Sequence, residues 1–181
     1  MEHPRIVILG ANGFLAQALA QKLANHPVLL ISRKPKKPAS KKHKVYSWDQ
    51  LIANPSVLKA SEHIYSLCGK SLLGIWTRRF QEALITSRTE PLEILDTLLT
   101  QINHNPRIYV ASGVGYYGTH YTSKIAPLTE RDPVQKKTAL SHIATKVENT
   151  LPKKRKDKTF LMRIGVVLSN DGGLLPFMKI P

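Results

Sequence analysis

The chain has 181 residues, 42% of them hydrophobic and 22% charged, with one cysteine, 10 glycines and 12 prolines. Such a length suits a single domain with a real core, and the composition excludes a disordered or collagen-like chain, an internal disulfide and a cysteine-based zinc site. Lys and Arg number 27 against 12 Asp and Glu, for a formal net charge of +15; no apolar run could span a bilayer and the N-terminus lacks a signal-peptide pattern, so a cytoplasmic protein with no membrane insertion is expected.

Residues 5–9, Arg-Ile-Val-Ile-Leu, read as a buried parallel strand ending at Gly10. Phe14, Leu15, Ala18, Leu19 and Leu23 recur at helical spacing, and Asn25-His26-Pro27 stops that helix. Val28 to Ile31 is a second strand. Residues 33–44 then form a loop with seven cations and no acid. Lys44 to Trp48 gives a third strand and Ile64 to Leu67 a fourth. Phe80 to Ile102 carries a long helical stripe in which Pro91 predicts a kink or a fresh start. Arg107 to Ala111 is a fifth strand. Leu140, Ile143, Ala144, Val147 and Leu151 form another helical stripe, and Phe160 to Leu168 is a long sixth strand. This alternation predicts an α/β fold, a doubly wound parallel sheet of the Rossmann type with helices on both faces.

The turn after the first strand is Gly10-Ala11-Asn12-Gly13-Phe14-Leu15-Ala16. Gly10 permits a tight turn, Gly13 removes a Cβ where a diphosphate would approach, and Ala16 is small where helix meets strand. The free amides opening the helix suit phosphate, so Gly10, Asn12, Gly13, Phe14 and Leu15 are candidate dinucleotide-binding residues. At the end of the second strand an NAD binder usually places a carboxylate for the ribose 2′-OH. This chain has Ser32-Arg33-Lys34 instead. A 2′-phosphate would meet a hydroxyl and two cations, and one charge-assisted contact prefers NADP(H) over NAD(H) by roughly ten- to a hundred-fold.

These residues, with Ser47-Trp48-Asp49, Leu67-Cys68-Gly69, Trp76-Thr77, Ser87-Arg88, Ser112 to Gly118, Thr129-Glu130, Arg163 to Leu168 and Gly172-Gly173, make the chain resemble the extended short-chain dehydrogenase/reductase superfamily, in its atypical "epimerase family protein" branch. The resemblance implies that Ser32 and Arg33 hold the adenosine phosphate and that Leu67, Cys68 and Gly69 pass the adenosine side with their backbone. It further implies that Arg88 helps fix the cofactor, and that Ser112 falls where related enzymes keep a catalytic hydroxyl. Tyr116 and Tyr117 read as pocket walls.

The family's Tyr-x-x-x-Lys pair is missing. Glu148 matches the glutamate that follows the lysine, which puts Ala144 at the lysine position and Leu140 at the tyrosine position. The cysteine that the atypical branch often carries at the lysine position is missing too. Losing a positioned acid–base group forfeits about 10²–10⁴ in rate. His142 and Lys146 fall off the apolar stripe and read as solvent-facing; His104 and His120 read as surface residues. Family members continue beyond the sixth strand into a substrate lobe, so residues 1–181 are expected to be one NADP-binding domain without that lobe.

Three readings follow. In the first, the chain is an NADP(H)-binding, epimerase- or reductase-like protein that moves hydride on a carbonyl or sugar-nucleotide-like substrate. In the second, it is a non-catalytic dinucleotide scaffold or sensor. The third and minor one is salt-sensitive binding of polyanions such as nucleic acid through residues 33–44 and 153–158, otherwise two solvated loops. No metal is expected, and a homo-oligomer is left open by the sheet edge.

Overall fold

The computed structural model describes residues 4–118, 127–134, 137–150 and 153–178. Its main sheet has six strands in the order β3-β2-β1-β4-β5-β6: β1 (Ile6–Leu9), β2 (Val28–Ser32), β3 (Lys44–Ser47), β4 (His63–Ser66), β5 (Arg107–Gly113) and β6 (Thr159–Ile164). Every neighbouring pair is parallel. This is the Rossmann-type, doubly wound arrangement that the strand-helix alternation predicts.

Side chains alternate between the two faces, and each face has its own core. Val7, Leu9, Leu29, Ile31, Ile64, Ile108 and Val110 pack with Leu51, Leu92, Leu95, Leu99 and Val147. Those last five come from three helices, α2 (Trp48–Ala53), α3 (Arg78–Gln101) and α4 (Ala139–Glu148). On the opposite face Ile8 and Leu30 pack with Ala16 and Ala20 of α1 (Phe14–Lys22). Small residues on α1 let it lie close to the strands, as the glycine turn requires.

Three elements differ from the sequence reading. The helix α3 runs unbroken through Pro91. Pro91 cannot donate to the carbonyl one turn back, yet Leu84 before it and Leu92, Leu95 and Leu99 after it are all fully buried, so packing on the core keeps one helix rather than a fresh start at Pro91. The short helix α2 was not anticipated; Ser47 and Gln50 form a reciprocal capping box at its start. The long sixth strand stops at Ile164. The chain then makes an antiparallel hairpin, β7 (Leu168–Ser169) with β8 (Gly172–Gly173).

Among the described residues no strand pairs beyond β6, whose Phe160 and Leu161, on opposite faces, are 45% and 41% exposed. No helix among them is long and apolar enough to cross a membrane.

Candidate functional site

The carboxyl ends of the six strands form one edge, where a doubly wound sheet holds its ligands. At its centre the glycine turn is pinned to β2: the Gly10 and Ala11 amides both donate to the Ile31 carbonyl, at 2.9 and 3.0 Å. Gly10 has φ +81°, and a Cβ there would lie 2.8 Å from the Cys68 amide nitrogen. Glycine is therefore required twice, for the left-handed backbone and for the close approach of the chain leaving β4. Gly13 opens α1 without any side-chain cap, and the first turn carries no acidic residue. The amides of Phe14 and Leu15 begin a helix whose positive end has no anion of its own. The β7–β8 hairpin reaches back to this point: Gly172 lies against the Phe14 ring, with no room for a Cβ between them.

Beside the glycine turn, Ser32 ends β2 with 4% exposure, and its Oγ is buried with no hydrogen-bond partner. A buried hydroxyl without a partner is costly, and it lies at the strand end that in dinucleotide-binding sheets meets a ribose 2′ group. Arg33 and Lys34 follow it and are exposed. The Asn12 side-chain amide donates to the Lys34 carbonyl at 2.8 Å, which joins the glycine turn to the start of the basic loop. Burial pushes the Cys68 thiol up to about 12, with the nearby Arg33 charge opposing it; Cys68 is thus an inert wall residue.

Arg88 acts on a neighbouring loop. Its guanidinium donates to the Leu84 carbonyl at 2.8 Å and to the Lys70 carbonyl at 3.0 Å. It lies flat against Gly69, where a Cβ would be 2.9 Å from Cζ. In this structure it therefore fixes the loop after β4, the loop that carries Leu67, Cys68 and Gly69.

The other half of the edge is built from β5, α4 and β6. Ser112 and Arg163 are register partners across β5 and β6. Ser112 Oγ donates to Glu148 Oε1 at 2.7 Å, and Arg163 grips both oxygens of Glu148 at 2.9 Å. The Arg163 side chain also donates to the Tyr117 hydroxyl at 2.8 Å and to the Glu130 carbonyl at 3.1 Å. Its guanidinium sits 3.6 Å from the centroid of the Tyr116 ring. The hydrogen bonds to Glu148 raise the Arg163 pKa above the usual guanidinium value, against the opposing effect of burial. Tyr116 and Tyr117 thus enclose a cation. At the family's tyrosine position, Leu140 packs on Gly115, where a Cβ would be 2.9 Å from the Leu140 Cβ. At the lysine position, Ala144 is buried.

Sequence reasoning assigned no role to Arg163. The available signal was a charge inside an otherwise apolar strand, which needs a buried partner. It also treated residues 153–158 as a candidate polyanion loop or a solvated one. Arg155 in that stretch is 5% exposed and bonded to Asp96, to the His104 carbonyl and to Asn105. It ties the loop to the end of α3. His104 is half-buried rather than a free surface residue, since its Nε2 lies 2.7 Å from the Ser61 carbonyl. His142 and Lys146 are exposed as expected, while His120 and Leu151 lie outside the described residues.

No family model matches the chain. It is 32% identical to the human epimerase family protein SDR39U1, over 98% of this chain and 59% of that protein. It is 29% identical to the Bacillus subtilis epimerase family protein YfhF, over 97% and 59%. The crystal structure of human SDR39U1 (isoform 2) with NADPH matches with a TM-score of 0.80 at 30% identity, over 98% of this chain and 59% of that one. A nucleoside-diphosphate sugar epimerase from Corynebacterium glutamicum matches with a TM-score of 0.71 at 27% identity, over 97% and 37%. The chain therefore spans about three fifths of the length of the curated relatives it matches.

Proposed function

The chain belongs to the epimerase family within the short-chain dehydrogenase/reductase fold, and from that premise we propose that it binds NADP(H) along the carboxyl edge of its sheet, in preference to NAD(H). The observation that carries this reading is Ser32: a buried hydroxyl without a partner, beside the Arg33 cation, at the strand end that meets the ribose 2′ position. The human relative crystallised with NADPH supports the same choice.

In this reading the amides of Phe14 and Leu15 hold the diphosphate, while the Gly13 amide closes the turn on the Gly10 carbonyl and Asn12 keeps the turn in register with the basic loop. Ser32 Oγ and Arg33 take the 2′-phosphate, with Lys34 adding charge. The backbone of Leu67, Cys68 and Gly69 lines the adenosine side, held in place by Arg88. When bound, the dinucleotide supplies hydride exchange with a carbonyl or alcohol carbon. Ser112 is the candidate hydroxyl on the reaction side. Its proton is directed to Glu148, so toward a substrate it acts first as an acceptor.

Fluorescence titration tests the reading: NADPH should saturate the full chain, and NADH should bind about ten- to a hundred-fold more weakly. Arg33→Ala should remove that preference while leaving NADH binding unchanged. Equal affinity for both coenzymes, or no binding of either, overturns it.

A non-catalytic dinucleotide sensor is the second reading. It is favoured by Leu140, 40% exposed, and the buried Ala144, which stand where the family keeps its acid–base groups and cannot exchange a proton. Turnover of any member of a carbonyl and sugar-nucleotide panel, abolished by Ser112→Ala, would exclude it.

A further inference from the structure

The proposed function makes no use of the segment that follows the sixth strand. β6 ends at Ile164 on the carboxyl edge, and the β7–β8 hairpin after it meets Phe14, the first residue of α1. In the sheet, β4 and β5 stand between β1 and β6. Three strand spacings separate the two ends, roughly 14 Å. The outgoing arm, residues 165–169, can reach at most about 18 Å when fully extended. It has little slack, so it crosses the carboxyl ends of β5 and β4 directly instead of passing around the sheet.

Both ends of this crossing are fixed. At its root, Arg163 is held by Glu148, Tyr117 and the Glu130 carbonyl. At its tip, two consecutive glycines serve different contacts. Gly173 has φ +73° and sits against the Val167 carbonyl with no room for a Cβ, which closes the hairpin. The Leu174 amide donates to that same carbonyl at 2.9 Å. Gly172 is covered by the Phe14 ring, which seats the hairpin on α1. Between root and tip the packing is thin. A Cβ on Gly165 would meet nothing within 4 Å, and Val166 and Leu168 are 70% and 57% exposed. A segment with few buried apolar contacts opens at far lower cost than the sheet beneath it.

The Phe14 amide is one of the two assigned to the diphosphate above, and Ser112, the candidate hydroxyl on the reaction side, lies on β5. The coenzyme reading thus uses the same stretch of edge that the hairpin crosses. We propose that residues 165–173 form a strap over this half of the crevice, seated on Phe14 through Gly172, and that NADP(H) enters and leaves only when the seat opens. Given the coenzyme reading, on which it depends, the strap adds a kinetic property. A strap that only bars the way slows entry and exit by the same factor. Loosening it therefore changes both rates and leaves their ratio, the Kd, in place.

Stopped-flow fluorescence of the full chain would measure NADPH association, and its displacement by excess NADP+, in the parent chain and in Gly172→Ala. The added methyl collides with the Phe14 ring and lifts the tip. Both rate constants should rise about tenfold, or roughly 1.4 kcal/mol of barrier, with the Kd within about twofold. The opposite variant, Phe14→Cys/Gly172→Cys, ties the tip to α1 when oxidised. It should then neither admit nor release NADPH over minutes, and dithiothreitol should restore both. Failure of the two thiols to pair would show that Gly172 does not sit on position 14 and overturns the strap. So does an unchanged pair of rates in Gly172→Ala, a rise in dissociation alone with a weaker Kd, or free exchange through the oxidised pair; each leaves the coenzyme reading standing. Absence of NADPH saturation in all the chains overturns the coenzyme reading itself, and the strap with it.

Discussion

The two halves of the carboxyl edge are finished to different degrees. Around β5 and β6 the polar groups satisfy one another: Ser112, Glu148, Arg163 and Tyr117 form a closed set of hydrogen bonds. Around β1 and β2 they do not, since Ser32 Oγ has no partner and α1 starts without a cap. Unsatisfied donors and hydroxyls lower stability unless a ligand completes them, whereas a closed network holds elements together and gives little to a newcomer. In the proposed reading the β1–β2 half takes the dinucleotide, while the Glu148–Arg163 pair locks α4 onto β6.

The severest challenge to that contrast is Glu148→Ala. The Arg163 and Glu148 side chains are only 16% and 6% exposed, and removing one partner of a buried pair costs about 3–5 kcal/mol. Urea unfolding should show a loss of that size; a loss under about 1 kcal/mol would mean that the network is not a lock. Next comes Gly10→Ala. The positive φ and the contact with Cys68 together cost about 2–4 kcal/mol, read by the same unfolding assay and accompanied by weaker NADPH binding. Ser32→Ala should behave oppositely in the two assays. It removes a buried hydroxyl that has no partner, so stability should hold or rise by about 1 kcal/mol while NADPH binds several-fold more weakly. Equal losses in both assays would show that Ser32 is satisfied in the free protein.

Near neutral pH the smallest effect concerns Cys68. Its folded pKa of about 12 lies above the ordinary 9.0, so the folded state keeps a proton that the unfolded chain releases. Stability from this group is complete below about pH 9 and falls as pH rises toward 12. Alkylation at pH 9 should be slow in the native protein and fast in urea; rapid native alkylation would place the thiol outside the wall described above.

By itself the sequence determined the apolar strands, their parallel pairing in a doubly wound sheet, the glycine turn and the cationic end of β2. Each of these depends on local periodicity or on a single residue's backbone and charge chemistry. Only the tertiary structure decided that Pro91 stays inside one helix, that Arg163 and Glu148 meet across fifteen residues of chain, that Arg155 is buried while Lys156 beside it is exposed, and that His43 is buried with its Nε2 3.2 Å from the Leu23 carbonyl. Long-range partners explain all four: a buried charge or imidazole is placed by whichever carboxylate or carbonyl the packed elements bring to it, and linear spacing does not encode that encounter.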